Sequence, residues 1–293
     1  MGAGGIGSFL GGMLANHGAD VTLVCRGAHL AAIRRDGLQV RSAKRNFTVA
    51  RINATSAPAE VGDVEVAVQA VKLYDLAEST RAMVPMLSPR TLVLTIQNGV
   101  TAADEVAAII GAERVVPGTL FINAHVEAPG RVVSRGQSTA VIMGERLAPF
   151  QKLCAEAGLD ARVSPEIEAE LWRKFVPVAA LSALSCLCRQ AIGPILDDPQ
   201  LNQLYRQAMT EVATLARARG VRLDEDIVDR TMANARTYKP DARVSMLEDL
   251  EAGKRLELEW LSGYVSREAA RLSVAVPFHD MAYACLRPFA KGA

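Results

Sequence analysis

The chain opens Met1-Gly2-Ala3-Gly4-Gly5-Ile6-Gly7, and the glycines at 2, 4 and 7 form a G-x-G-x-x-G run. Residues 8–17 behind it can form a helix, and the apolar residues 21–25 read as a strand. A glycine turn feeding a helix and then a strand is the unit that holds a dinucleotide. The first glycine makes the tight turn, the second lets the backbone approach the pyrophosphate, and the third lets helix and strand pack closely. The helix N-terminus adds unpaired N–H groups and the positive end of its dipole. Gly2, Gly4, Gly5, Ile6 and Gly7 are therefore the expected pyrophosphate-binding run.

A strand should precede that turn, and only Met1 stands before Gly2. In the 3-2-1-4-5-6 strand order the missing strand is central, so its absence predicts a gap in the sheet. The expectation is that the natural chain starts about five residues upstream, with an apolar strand running into the turn.

Cofactor choice is read at the end of the second strand. NAD enzymes carry Asp or Glu there, roughly 20 residues after the glycines, to bind the ribose hydroxyls. Here the residue after Cys25 is Arg26, with no acid beside it. A guanidinium suits a dianionic 2′-phosphate, which favours NADP(H); a solvated loop arginine is the plainer alternative.

The remaining composition removes other chemistries. Net charge is +1 with both signs interspersed, so there is no basic field for nucleic acid. No run of about 18 apolar residues argues for a membrane span, and the N-terminus lacks the form of a signal peptide. Five scattered cysteines suggest reduced thiols in a cytoplasmic protein, and the four histidines show no metal-ligand spacing. No metal site is expected. Nucleophile elbows and Walker loops are absent too, so the chemistry must come from a bound cofactor.

Along the chain, a helix is expected at 28–36, closed by Gly37, then short strands at 38–41 and 47–53. The β-branched run 64–71 reads as a buried parallel strand ending at Lys72. A helix at 75–86 leads to a strand at 91–96 that ends in Gln97-Asn98-Gly99. Ligands of open α/β sheets bind at the carboxyl ends of strands. Lys72 and Asn98 both stand there, although a loop lysine and a simple Asn-Gly turn explain them equally. A helix at 102–110 follows, with strands at 115–122, 131–134 and 140–143 and a helix at 149–157. From about Pro165 strand signals stop, and helical periods run through 166–188, 199–219, 224–238, 255–272 and 277–288. The expected architecture is an α/β Rossmann-type dinucleotide-binding domain, residues 1–163, followed by an all-α helical C-terminal domain, residues 164–293. The second domain would serve substrate binding and dimerisation, its apolar helix faces being able to form a homodimer.

In this order the motifs resemble the ketopantoate reductases (2-dehydropantoate 2-reductases), over nearly the whole chain. The likeness rests on the glycine run, Val71-Lys72, Ile96-Gln97-Asn98-Gly99, Leu171-Trp172-Arg173-Lys174-Phe175, Ser245-Met246-Leu247-Glu248-Asp249, and Glu257 with Ser262-Gly263 after it. The resemblance implies NADPH-dependent reduction of a small 2-keto acid in a cleft between the two domains. It makes Lys174 the catalytic lysine and Glu257 its partner and a substrate ligand. It sets Asn98 near cofactor and reacting carbonyl, Lys72 near the cofactor, and Ser245 on the substrate. An ammonium beside a reacting ketone stabilises the developing alkoxide and supplies its proton.

The plainer readings are these. Lys174 could lie on a solvated helix face, Glu257 and Glu259 could pair with Lys254 or Arg255, and Ser245 could cap a helix at 246–250 with Glu248 completing a capping box. The family commonly carries Asn four and eight residues after its lysine, where this chain has Val178 and Ser182. These positions share a helix face with Lys174, so a less polar 2-keto acid than ketopantoate is plausible. Two further readings stand beside the reductase: a 3-hydroxyacid dehydrogenase of similar fold, and a non-catalytic NADP-binding regulatory protein.

Overall fold

Every residue from Ser8 to Leu14 in the first helix is buried. A helix apolar on all sides needs walls all round, and here they are sheets. The structure, a computed structural model, describes residues 1–43, 45–135 and 138–292. It divides into two compact units, Met1–Gln97 with Thr101–Ile167, and Asn98–Val100 with Glu168–Ala293.

The first unit runs α1 (Gly5–Asn16), β1 (Thr22–Val24), α2 (Gly27–Asp36), β2 (Leu38–Ser42), β3 (Asn46–Val49), β4 (Asn53–Thr55), β5 (Val66–Gln69), α3 (Leu76–Met83), β6 (Leu92–Thr95) and α4 (Ala102–Ile110). It continues with β7 (Val115–Phe121), β8 (Ala124–Ala128), β9 (Arg131–Ser134), β10 (Ala140–Gly144), α5 (Ala148–Glu156) and β11 (Asp160–Ser164). The strands form a pair β1-β4, a five-stranded sheet β11-β10-β7-β6-β5 and a four-stranded sheet β3-β2-β9-β8. Phe9, Leu10, Met13 and Leu14 of α1 share one core with Leu38, Val40 and Val132 of the four-stranded sheet and Leu94 and Val116 of the five-stranded one. The pair Gly11-Gly12 permits this: a Cβ on Gly11 would strike Leu23, and one on Gly12 would strike Val40.

Strands β1 and β5 belong to different sheets, and residues 1–3 run between their ends. Gly2 N and Ala3 N donate to Val24 O at 3.1 and 2.9 Å, Met1 N donates to Val68 O at 2.8 Å, and Ala70 N donates to Met1 O at 2.9 Å. The carboxyl ends of β1 and β5 are thus joined through the start of the glycine turn.

The second unit is helical: α6 (Ile167–Cys188), α7 (Ile192–Asp197), α8 (Pro199–Ala218), α9 (Ile227–Ala235), α10 (Ser245–Glu251), α11 (Ser262–Arg271) and α12 (Pro277–Leu286). Helix α6 is long and apolar enough to span a membrane by composition, but 61% of its most apolar window is buried inside the protein, as in a core helix. Ala179, Ala180 and Ala183 of α6 and Ala208, Ala213 and Ala216 of α8 are buried in the same core, and such small side chains suit closely packed helices. Helix α12 begins without a side-chain cap of its own. Buried Glu211 of α8 takes that role, accepting from Phe278 N at 3.0 Å and His279 N at 3.2 Å. His279 is fully buried, 3.2 Å from Ser262 Oγ through Nδ1 and 3.2 Å from the Ala208 carbonyl through Nε2. A carbonyl only accepts, so Nε2 carries the proton and Nδ1 accepts from Ser262.

Several expectations need correction. Strands β4, β8 and β11 and helix α7 have no counterpart of their own in the sequence reading; the strands span only three to five residues, too few for a clear period. Strand β11 pairs in parallel with β10, so sheet structure continues to Ser164. The helix expected over 255–272 is broken. Leu256 N donates to Ala290 O at 3.0 Å, a 3-10 turn covers Leu258–Trp260, and the helix proper begins at Ser262.

Candidate active site

The glycine turn is shaped for a phosphate group. Gly2 has φ +79°, a left-handed conformation that favours glycine. A Cβ on Gly7 would run into the Gly2 carbonyl, whereas one on Gly4 would meet nothing within 4 Å. Gly7 is therefore required by packing, and Gly4 faces open space through which a ligand can approach the backbone. A Cβ on Gly5 would collide with the Ala124 carbonyl of β8, so the fold itself demands glycine there. Ile6 packs half-buried against the core. No side chain caps α1 and no acid lies in its first turn. Its first-turn N–H groups have no partner within the helix, and with the dipole they suit a pyrophosphate. The residues present fit a dinucleotide.

Arg26 is exposed directly after β1, as the N-cap residue of α2, whose first turn contains no acid. Lys72 is half-buried beyond the end of β5, at the start of the 3-10 turn Leu73–Asp75. One residue escaped the sequence reading. The buried amide of Gln97 donates to the carbonyls of Gln69 at 2.9 Å and Val71 at 3.3 Å, while its oxygen accepts from Ile96 N at 3.1 Å. Gln97 thus ties together the ends of β5 and β6, from which Lys72 and Asn98 follow. A polar amide closing an apolar strand was the available signal.

In the helical unit Lys174 lies half-buried on α6. Burial lowers its pKa and the charge of Glu257 offsets part of that fall, so that it comes down from 10.5 to about 8. Glu257 is 7% exposed, between Leu256 and Leu258, which are 1% and 0% exposed. Lys174 is thus half-buried and not a fully solvated helix-face residue. Its neighbours are otherwise engaged: Arg173 binds Glu170 at 2.9 Å and Asp224 at 3.8 Å. Trp172 and Phe175 are buried, with ring centroids 5.4 Å apart, and both contact Tyr264 of α11. Pro177 sits inside α6 one turn further on; it has no N–H to give the Arg173 carbonyl.

The two glutamates separate clearly. Glu259 binds Arg267 at 2.9 Å and the Tyr283 hydroxyl at 2.9 Å, so Glu257 is the one that acts on Lys174. Asn98, half-buried, belongs by its contacts to the helical unit, in the segment Asn98–Val100. Ser245 is exposed as the first residue of α10; Val244 is the N-cap and no side chain caps the helix, so the capping-box reading fails. Val178 is half-buried against the helical core and Ser182 is 4% exposed. Ser262 is fully buried on His279, an engaged core hydroxyl. Among the described residues no three His, Cys, Asp or Glu side chains converge as a metal site.

Comparison with known proteins shows the family of the chain. The ketopantoate reductase PanE/ApbA family matches residues 1–147, and its C-terminal domain matches residues 166–290. A 2-dehydropantoate 2-reductase of Halobacterium salinarum is 31% identical, covering 94% of this chain and 93% of the relative. An oxidoreductase of Bacillus subtilis named YkpB, of uncharacterized activity, is 26% identical over 99% of this chain and 97% of its own length. The crystal structure of a PanE/ApbA family ketopantoate reductase from Ralstonia eutropha JMP134 superposes with a TM-score of 0.92 at 29% identity, covering 99% of this chain and 97% of that one. The chain belongs to the ketopantoate reductase (PanE/ApbA) family of dinucleotide-dependent oxidoreductases.

Proposed function

We propose that this enzyme reduces a 2-keto acid to the 2-hydroxy acid with NADPH, and that its substrate is 2-dehydropantoate, giving pantoate. The observation that carries the reading is the half-buried Lys174, desolvated and under the charge of the buried Glu257. NADPH, when bound, supplies a hydride to the keto carbon. The chain's residues handle everything else. With a pKa of about 8, Lys174 is mostly protonated at neutral pH yet gives up its proton more readily than an ordinary lysine. Its ammonium stabilises the charge developing on the ketone oxygen and transfers the proton to it. Glu257 keeps that ammonium charged and can accept a hydrogen bond from a substrate hydroxyl. Asn98 can donate to the carbonyl or carboxylate and Ser245 to the carboxylate.

The first unit, about residues 1–163, would hold the dinucleotide on Gly2, Gly4, Gly5, Ile6 and Gly7, with Lys72 and Arg26 as cationic contacts. The absence of an acid beside Arg26 supports NADPH over NADH. The helical unit, about 164–293, would bind the keto acid and offer a surface for a homodimer, in a cytoplasmic enzyme. Val178 and Ser182 favour a second reading, in which the substrate is a less polar 2-keto acid handled by the same chemistry.

The test is loss of reduced-nicotinamide absorbance with 2-dehydropantoate and a panel of 2-keto acids, for the wild type and Lys174→Ala. Turnover of 2-dehydropantoate that falls about 100-fold or more on substitution supports the reading. Turnover of another keto acid alone moves the substrate and keeps the mechanism. Equal activity of Lys174→Ala overturns the role of the lysine.

A further inference from the structure

Around the glycine turn runs a chain of hydrogen bonds that the proposed reaction does not use. His29, half-buried in the first turn of α2, has Nδ1 at 3.0 Å from the backbone nitrogen of Gly130, in the turn between β8 and β9. Its Nε2 is 3.0 Å from Ser8 Oγ on α1. Ser8 Oγ in turn is 2.9 Å from the carbonyl of Ala3, the residue between the first two glycines.

The two ends of this chain fix every proton in it. Gly130 N–H can only donate and the Ala3 carbonyl can only accept. His29 therefore accepts at Nδ1 and is neutral with its proton on Nε2. That proton goes to Ser8 Oγ, and the Ser8 hydroxyl donates to Ala3. Ser8 is fully buried, so no water competes for its hydroxyl. Burial also lowers the pKa of His29, which keeps the ring neutral. The consequence falls on the turn. A free carbonyl at Ala3 would present a negative dipole end beside a phosphate, while Gly5, Ile6 and Gly7 offer first-turn N–H groups. The Ser8 proton occupies that carbonyl and holds the turn in one shape.

We propose that His29 is a positioning residue for the pyrophosphate-binding turn, gripping the Ala3 carbonyl through Ser8 and tying the turn to the β8–β9 hairpin through Gly130. The proposal rests on dinucleotide binding by the first unit and is independent of which keto acid is reduced. Preorganisation of this kind lowers the ordering cost of binding.

The experiment uses the full-length protein with Ser8→Ala, His29→Gln, His29→Phe and the Ser8→Ala/His29→Phe double variant, titrated with NADPH and with NADH by fluorescence. Adenosine 2′-monophosphate, which lacks the pyrophosphate, is the control ligand, with adenosine in its place should NADH bind more tightly. His29→Phe should weaken the tighter dinucleotide about tenfold, the order expected for one lost hydrogen bond. Its KM should rise in parallel while kcat at saturation and control-ligand binding stay unchanged. His29→Gln, which can still donate to Ser8, should recover part of the loss, and the double variant should be no weaker than His29→Phe alone. Nitrogen NMR of the ligand-free wild type should show the neutral Nε2–H ring, a reading independent of how the variants fold. Unchanged dinucleotide affinity, equal losses for dinucleotide and control ligand, or an Nδ1–H ring would overturn the proposal. Preference for NADH would instead overturn the cofactor choice and leave this test intact.

Discussion

In the proposed reaction Lys174 and Glu257 would set the pH behaviour. A lysine whose pKa has fallen from 10.5 to about 8 loses its proton within an accessible range, so kcat/KM should fall as pH rises through about 8. Glu257 holds that value up, so Glu257→Gln should carry the alkaline limb to lower pH; a limb that stays in place would show that the carboxylate does not act on Lys174. The glycine turn permits an equally local test. Gly4 has room for a Cβ and an ordinary φ of −77°. Gly4→Ala should change stability by no more than about 0.5 kcal/mol while weakening dinucleotide binding at least tenfold, a loss on the order of 1.4 kcal/mol. Gly7→Ala meets the Gly2 carbonyl and should lower both stability and affinity. Denaturant unfolding and dinucleotide titration separate the two cases. Glycine spacing was legible in the sequence; which glycines packing requires depended on neighbours such as Ala124.

Helix α12 shows how one element depends on another. Its first turn is held by Glu211, and His279 is locked between Ser262 and Ala208. Burial lowers the His279 pKa from 6.5 to about 4, so only the neutral ring fits the fold. The unfolded chain binds the proton more readily between these values. The stability from this site is therefore full above pH 6.5 and is lost as pH falls toward 4, a change of about 3 kcal/mol. Unfolding free energies measured between pH 4 and 7 should show that slope, and His279→Asn should flatten it. Element boundaries were readable where local pattern decides: α4 spans Ala102–Ile110, as its periodicity implies. They were unreadable around Glu257. There the burial of Leu256 and Leu258 on either side, together with the bond from Leu256 N to Ala290, overrides a helical period.

At the scale of the whole molecule, the proposed dinucleotide site would link ligand and fold through the first unit. A dinucleotide at 100 times its Kd should stabilise that unit by about 2.7 kcal/mol. Hydrogen exchange should show the added protection at the first turn of α1 and around Arg26 and Lys72; protection confined to the helical unit would contradict the assignment of the dinucleotide site. The amino-acid sequence alone determined the order of α/β and helical parts and the glycine turn. Each follows from short-range pattern: glycine spacing, buried β-branched runs and helical period. The tertiary structure alone decided that Lys174 is half-buried and desolvated, that Glu257 and not Glu259 is the carboxylate acting on it, that Ser262 is taken by His279, and that Ser8 and His29 grip the turn. Burial and hydrogen-bond partners come from residues far apart in the chain, and a pKa is set by those surroundings.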